Sequence, residues 1–159
     1  MAKVEPIPRG RHTVIANLTI RDCSKAIEFY AKGLGMTETG RAMAPDGKSV
    51  WHAELNLGDS TVYVNDAMPG SPVEAPKAGQ QLPVTFWVAV KDCDAAYRRA
   101  IEAGGKSTME PQDMFWGDRV AEVADPFGYR WSFTTHVKDM TPDEMKKAGE
   151  EFAKKMRRS

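Results

Sequence analysis

Hydrophobic and polar residues alternate along TVIANLTI, residues 13–20. One side of this segment is apolar throughout, and its members are Val14, Ala16, Leu18 and Ile20. Because successive side chains of a strand point to opposite faces of a sheet, the pattern predicts a strand that packs one side on a core. The opposite side, with Ile15, Asn17 and Thr19, is mixed and is predicted to be wetter.

A helix and three more strands are predicted in the first half. Asp22 stands at an N-cap position before SKAIEFYAKGL, whose apolar residues recur at helical spacing, and Gly33 and Gly35 supply a stop signal. The strands are predicted at 37–44, 49–57 and 60–65. Gly58 and Asp59 are typical of a tight hairpin turn between the last two.

The second half repeats this order at a constant offset, with Asp92 and Cys93 in the places of Asp22 and Cys23. Alternation returns at 84–90, and Asp92 is predicted to cap a helix at 93–103. Further strands are predicted near 106–109, 118–124 and 129–135. Two copies of one β-α-β-β-β unit predict a duplicated α+β fold, with a cleft where the two units face each other.

Two segments lie outside the repeat. Residues 66–83, DAMPGSPVEAPKAGQQLP, predict a loop between module one, about 12–65, and module two, about 84–136. TPDE at 141–144 has the form of a capping box and begins a predicted C-terminal helix at about 141–157. Its apolar stripe predicts packing on the body of the protein or on a second subunit. The stripe comprises Met145, Ala148, Phe152 and Met156, and Lys154, Lys155, Arg157 and Arg158 suit the helix C-terminus.

The composition narrows the class of protein. A chain of 159 residues predicts one domain, and its 22 basic and 22 acidic residues cancel, which argues against nucleic acid or a membrane surface as a partner. No apolar run approaches the roughly 18 residues that a membrane helix needs. The N-terminal MAKVEPIPRGRH lacks the apolar core of a signal peptide, so a cytoplasmic location is expected.

The two cysteines are predicted to lie on separate helix starts, where a lowered thiol pKa would make them reactive. We favour the alternative interpretation, that Cys23 and Cys93 are small buried residues in a reduced compartment.

Several short motifs recur in a specific order: RDCSKAIEFYAKGLGM in module one, then DGKSVWHAEL, VNDAMPG, MFWGDR and DPFGYRW. With the doubled βαβββ plan, they resemble the vicinal oxygen chelate superfamily of glyoxalases, extradiol dioxygenases and bleomycin-resistance proteins, over about residues 12–136. Within it the chain is most similar to the PhnB-like branch. The resemblance implies a single glyoxalase-like domain whose two modules form a curved, partly closed mixed sheet around a cleft. It also implies a homodimer, with or without exchange of modules.

The same resemblance implies a divalent metal held by His and Glu side chains on the first and last strands of each module. Counted from the helix caps and the DPFG turn, those positions fall on Ile15, Val62, Thr85 and Ser132. Isoleucine and valine have no donor atom, and neutral hydroxyls are poor ligands for such metals. The apolar pattern also allows Tyr63 instead of Val62 to face the cleft, but neither register restores a His and carboxylate set. We therefore expect no metal and no cofactor.

His52 is a candidate for a relocated site. It shares a strand face with Glu54, and its counterpart at the constant offset is Glu122. His52 and Glu122 are thus candidate catalytic residues of a metal or acid–base site that works near neutral pH. A hydrogen-bonded histidine on the wet face of a strand is the alternative that we favour.

Aromatic residues point to a binding pocket. Trp87 falls on the polar face of its strand, Trp116 lies in the MFWGDR loop, and Tyr63 is a third candidate. With Asn17, Thr85 and Ser132 as polar points, they predict a pocket for a flat or hydrophobic organic molecule. The alternative is that these rings only fill the space between the modules.

Three functions therefore stay open: metal-free binding of a small organic molecule, as in the bleomycin-resistance type; a glyoxalase-like lyase; and a dimeric scaffold without a ligand. The missing metal ligands favour the first. The identity of the ligand does not follow from the residues.

Overall fold

The computed structural model describes residues 4–8, 10–77, 80 and 82–157. The chain divides into two compact units between residues 81 and 82. Within the described residues each unit has one four-stranded mixed sheet with a helix packed against it, and a further helix ends the second unit. This confirms the predicted α+β fold of two βαβββ modules with a C-terminal helix. Arg158 of the predicted helix terminus lies outside the described residues.

The first sheet has the strand order β1-β4-β3-β2. Its elements are β1 Ala16–Ile20, α1 Cys23–Phe29, β2 Thr37–Met43, β3 Val50–Leu57 and β4 Ser60–Asp66. The predicted cap is confirmed, since the Asp22 side chain accepts a hydrogen bond from the Lys25 amide at 3.4 Å. The helix continues through a π-helical turn at Tyr30–Leu34 and ends at Gly35, whose φ of 76° suits glycine.

The second sheet has the matching order β5-β8-β7-β6. The elements of this unit are β5 Phe86–Ala89, α2 Cys93–Glu102, β6 Lys106–Asp113, β7 Asp118–Ala124, β8 Arg130–His136 and α3 Pro142–Met156. Asp92 caps α2 through a bond from the Ala95 amide at 2.9 Å. In both sheets the first and last strands pair in parallel, and the remaining pairs are antiparallel.

Strand ends differ from the prediction by more than one residue at three places. β1 begins at Ala16, the first residue paired with β4, and Val14 before it is 85% exposed. β5 begins at Phe86, soon after Pro83, which has no amide hydrogen for a ladder. β6 continues to Asp113, because it is an edge strand with irregular register between Met109 and Gln112, where a proline is tolerated.

One face of each sheet packs on its helix. In the first sheet Leu18, Ala53 and Val64 lie side by side in this buried layer. In the second sheet Ala121 and Phe133 occupy it, and Arg119 of the same face bonds to Asp94 of α2. We call the opposite face, which turns away from the helix, the open face of each sheet.

The pairing corrects the constant offset between the halves. On the open faces Asn17, Tyr63 and Glu54 are neighbours in the first sheet, and Trp87, Ser132 and Glu122 are neighbours in the second. Tyr63, and not Val62, therefore corresponds to Ser132, and Val62 is buried on the helix side. Likewise Glu54, and not His52, corresponds to Glu122. The offset is 70 residues at Asp22 and Asp92, 68 at Glu54 and Glu122, and 69 at Tyr63 and Ser132. Module two is thus two residues shorter than module one between the helix cap and β7, and one residue longer across the connection to β8, where residues 125–129 take the place of the Gly58–Asp59 turn.

The C-terminal helix has the predicted capping box: the Glu144 amide donates to Thr141 Oγ1 at 3.3 Å, and the Thr141 amide donates to Glu144 Oε2 at 2.9 Å. Phe152 of its apolar stripe packs on Phe115, with ring centroids 5.2 Å apart, while Met156 is exposed. In the part of the chain that the structure describes, no helix is both long and apolar enough to cross a membrane.

Both cysteines begin a helix and are buried. Burial raises the pKa of the Cys23 thiol to about 12, and burial also raises the pKa of Cys93. A raised pKa lowers the thiolate fraction, so these positions favour the interpretation as buried packing residues.

Candidate functional site

The open face of the first sheet carries a cluster of polar and aromatic side chains. Asn17, Tyr63 and Glu54 lie on adjacent strands at one level, and His52 is two residues from Glu54 on the same strand. The His52 ring packs edge-on against Tyr63 with centroids 4.7 Å apart, and its Nε2 lies 3.6 Å from Glu54 Oε1. The sequence-based prediction placed His52 and Glu54 on one face, and the structure agrees.

Arg11 completes this cluster from the segment before β1. Its guanidinium forms an ion pair with Glu54 and lies over the Tyr63 ring, 5.5 Å from the centroid. The hydrogen bond from Arg11 lowers the pKa of the Glu54 carboxyl, with a smaller contribution from His52. Glu54 is therefore an ionised, paired carboxylate at neutral pH, and it is a poor general acid.

Sequence reasoning did not single out Arg11. The residue precedes the first strand, so no period-two or helical pattern marks it. His12 beside it gives the second anchor of this segment, with Nε2 2.7 Å from the carbonyl oxygen of Asp59.

The open face of the second sheet has a different character. Ser132 Oγ donates to Glu122 Oε2 at 3.1 Å, Thr108 Oγ1 donates to Glu122 Oε1 at 2.8 Å, and Arg130 Nη1 lies 3.5 Å from the same carboxylate. Glu122 is thus engaged by three neighbours. Glu122 belongs to the second unit, whereas His52 belongs to the first. Each of the two residues contacts partners within its own unit.

Trp87 lies beside Ser132 on this face and is 57% exposed. Exposing this much apolar tryptophan surface to water costs free energy unless another molecule covers it. Thr85 precedes the strand and is half-buried. Of the predicted ligand-binding residues, the structure brings Asn17 and Tyr63 together in the first sheet, and Trp87 and Ser132 together in the second.

Trp116 has a local role in the loop between β6 and β7. Its indole Nε1 donates to Asp118 Oδ2 at 3.0 Å, and its ring stands edge-on to Phe115 at 5.0 Å. Phe115 in turn contacts α3 through Phe152. These contacts join Trp116 to the loop and, through Phe115, to the C-terminal helix.

The positions where the family resemblance predicts metal ligands do not fit a divalent metal. Ile15 has no donor, and Thr85, Ser132 and Tyr63 offer neutral hydroxyls, with Tyr63 replacing Val62 after correction of the register. Across residues 4–8, 10–77, 80 and 82–157, no three His, Cys, Asp or Glu side chains are grouped as a metal site requires. A stable Zn²⁺ or Fe²⁺ site normally needs at least three such donors.

Comparisons with known proteins agree with this fold. Residues 11–133 match the model of the family described as Glyoxalase/Bleomycin resistance protein/Dioxygenase superfamily. The chain is 38% identical over 135 residues to an uncharacterized protein of Mycobacterium bovis. The alignment covers 83% of this chain and 88% of the relative. It is 34% identical over 107 residues to the anthracycline biosynthesis protein DnrV of Streptomyces peucetius. This alignment covers 67% of this chain but only 35% of DnrV.

A solved structure resembles the chain closely as well. TioX from Micromonospora sp. ML1 superposes with a TM-score of 0.64 at 28% identity, covering 79% of this chain and 99% of TioX.

Proposed function

We propose that this chain, which belongs to the glyoxalase/bleomycin resistance protein/dioxygenase superfamily, is a metal-free protein that binds a small organic molecule on the open faces of its sheets. The observation that carries the proposal is Trp87, whose indole is 57% exposed on the helix-free side of β5. Aromatic side chains of this kind supply most of the contact area in many binding sites. Of the other predicted ligand-binding residues, Ser132 lies beside Trp87 on the same face, whereas Asn17 and Tyr63 lie on the open face of the first sheet.

The ligand class that we propose is a planar, polycyclic aromatic compound. Flat rings are complementary to an exposed indole, since offset stacking of aromatic rings is favourable. The name of DnrV connects one relative with anthracycline biosynthesis, and anthracyclines are polycyclic aromatic compounds.

A thermal-shift screen of polycyclic aromatic compounds, followed by calorimetric titration of the best one, tests the proposal. Trp87→Ala is expected to weaken binding by about 2 kcal/mol or more, roughly 30-fold. Trp51→Ala is the matched control, because Trp51 is 51% exposed but by alternation lies off the face that carries His52. Absence of any stabilising compound, or equal losses in both variants, would reject the proposal.

Metal analysis tests the metal-free part separately. Elemental analysis of the purified, dialysed protein should find well below one equivalent of Zn, Ni, Fe or Mn per chain, because the donor set is neutral hydroxyls and an isoleucine. Stoichiometric metal whose removal lowers the melting temperature would contradict it.

The second candidate function is a glyoxalase-like lyase, or another enzyme of the superfamily, with a relocated metal or acid–base site around His52 and Glu122. The His52–Glu54 approach of 3.6 Å favours it. Against it stand the pairing of Glu54 with Arg11 and the bonds that engage Glu122. Turnover of methylglyoxal with glutathione that His52→Gln removes would establish this function in place of simple binding.

We further propose that the protein is cytoplasmic and acts as a homodimer, with α3 near the interface. The apolar stripe of this helix supports the assembly, since Phe152 and Met156 stay largely exposed. Sedimentation should give twice the chain mass of 17.6 kDa at micromolar concentration. A single-chain mass under those conditions would exclude the dimer.

A further inference from the structure

A depression of about 390 Å³ lies on the second sheet, and Ala89 of its lining is two residues from Trp87 on the same strand. It is lined by Ala89, Val90, Lys91, Asp118, Thr134 and His136, at the ends of β5 and β8 and the start of β7. Ala89 pairs with Thr134 two positions beyond the Trp87 and Ser132 pair, and Asp118 pairs with His136. Period-two alternation therefore places the depression on the open face that carries Trp87.

The carboxylates at the depression already have hydrogen-bond partners within the protein. Asp118 accepts hydrogen bonds from Trp116 Nε1 at 3.0 Å and from His136 Nδ1 at 2.8 Å. The other ring nitrogen of His136, Nε2, lies 3.0 Å from Asp139 Oδ1. Because carboxylates flank both ring nitrogens, Asp139 and Asp118 raise the pKa of His136. A protonated His136 donates to both aspartates and offsets one of their two negative charges.

Two donors of the depression are without partners. Thr134 Oγ1 is buried and makes no hydrogen bond, although buried hydroxyls are normally satisfied. Within the described residues, the Lys91 ammonium has no carboxylate at ion-pair distance. Ala89 and Val90 supply an apolar wall next to these donors. The depression thus offers a ligand one unpaired ammonium group and one hydroxyl without a hydrogen-bond partner, beside an apolar wall.

We infer that the ligand of the open face is an aromatic acid, with its ring system against Trp87 and its carboxylate in the depression, bound by Lys91 and Thr134. This inference rests on the proposed binding function and names the chemistry of its ligand. Trp87 and Lys91 are four residues apart, about 13 Å along an extended chain. A lysine side chain spans part of that distance, and a fused three-ring system with one carboxylate spans the rest. Lysine suits this role because its ammonium is a mobile point charge that needs no fixed bidentate geometry.

Two probes with the same ring system, one anionic and one neutral, test the inference: anthraquinone-2-carboxylate and anthraquinone-2-carboxamide. Calorimetric titration of the wild-type protein at low salt should give about tenfold tighter binding of the acid, the effect of one charge-assisted hydrogen bond. The preference should shrink as NaCl is raised, because salt screens an ion pair at a partly exposed site.

Lys91→Met should reduce the affinity of the acid to that of the amide and leave the amide unchanged. Thr134→Val should weaken binding of the acid by a smaller factor, about threefold. Lys106→Met is the matched control, since Lys106 is exposed at the start of β6 and does not line the depression; it should preserve the preference.

Equal binding of acid and amide, or a preference that survives Lys91→Met, would overturn the inference while leaving aromatic binding intact. Tighter binding of the amide, or of a cationic analogue through Asp118, would overturn it as well. If neither probe nor any other aromatic compound binds the wild type, the proposed function itself fails, and the inference fails with it.

Discussion

The two modules use the same fold to hold very different open faces. In the first sheet the side chains of the face contact one another, because Arg11 pairs with Glu54 and lies over Tyr63 while His52 packs on the same ring. In the second sheet the central carboxylate, Glu122, is bonded locally, and next to it Trp87 and the depression at Lys91 have no covering side chain in the structure described. Both sheets pack one face on a helix, whereas the open faces carry different side chains. The exposed Trp87 is the reason that we propose the second face as the principal ligand surface.

The largest expected difference between the modules lies on the helix side of the last strand. Trp131 in β8 is 1% exposed and donates from Nε1 to Asp125 Oδ2 at 3.0 Å, and its ladder counterpart in β4 is Val62. Trp131→Ala should lower the free energy of unfolding by about 3–5 kcal/mol. Val62→Ala should lower it by about 1.5 kcal/mol, because only two methyl groups are lost. Chemical denaturation measures both values, and a Trp131 loss no greater than that of Val62 would show that the second core does not depend on this ring.

Alanine substitutions at two glycines in the corresponding connections of the two modules should differ by an intermediate amount in their loss of unfolding free energy. Gly47 between β2 and β3 and Gly117 between β6 and β7 both have positive φ, 67° and 97°. A Cβ at Gly47 would meet open space, but one at Gly117 would overlap the carbonyl oxygen of Lys138. Alanine at either site incurs backbone strain of about 1–3 kcal/mol. Gly117→Ala should cost roughly 1–3 kcal/mol more, because the backbone must shift as in an overpacked core.

Gly47→Ala is thus the internal control for backbone strain. Equal losses of unfolding free energy in the two variants would mean that the segment after β8 is not packed on the 114–117 loop as described.

The Arg11 pair of the first module predicts a smaller, pH-dependent effect. Arg11 lowers the pKa of Glu54 in the folded protein, so this carboxylate stabilises the fold above its unfolded pKa. That contribution is lost as pH falls through the lower, folded pKa. In Arg11→Ala the titration midpoint of the Glu54 side-chain carbon, followed by NMR, should rise, and the acid sensitivity of stability near that pH should decrease.

Lys25→Ala removes another surface pair, with Asp22, and serves as its control. It should leave the Glu54 midpoint unchanged. A Glu54 midpoint that does not respond to Arg11→Ala would mean that the segment before β1 does not cover the first open face in solution.

The smallest expected difference concerns the thiols. Cys23 and Cys93 are both buried, and burial raises both pKa values, that of Cys23 to about 12. Neither residue should react with iodoacetamide at pH 8 under native conditions, and both should react after unfolding in guanidinium. Rapid native labelling of either one, detected by mass spectrometry, would contradict the equivalence of the two helix starts.

The fold could be predicted well because helix caps, turns and strand alternation are all set by residues that are close together in the sequence. Asp22, Asp92 and Thr141 cap their helices as expected, and the Gly58–Asp59 turn joins β3 and β4. Ladder partners are not local. A constant offset between the halves paired Ser132 with Val62, but module two has one residue fewer than module one between the helix cap and the last strand, so the true partner is Tyr63.

The candidate site was predictable where strand alternation marks it, as for Trp87, Ser132 and His52. It was not predictable where loops contribute. Arg11 reaches Glu54 from an irregular segment, and the Asp118–His136–Asp139 arrangement joins the ends of two strands to the segment before α3. No periodicity in the chain connects such residues.

The most direct test of the central claim is a calorimetric titration of the best polycyclic aromatic ligand, before and after treatment of the protein with a strong chelator, on wild type and Trp87→Ala. We expect one dissociation constant for the wild type with or without chelator, and about 30-fold weaker binding for Trp87→Ala. Binding that chelation abolishes and Zn²⁺ restores, or that Trp87→Ala leaves unchanged, would contradict it.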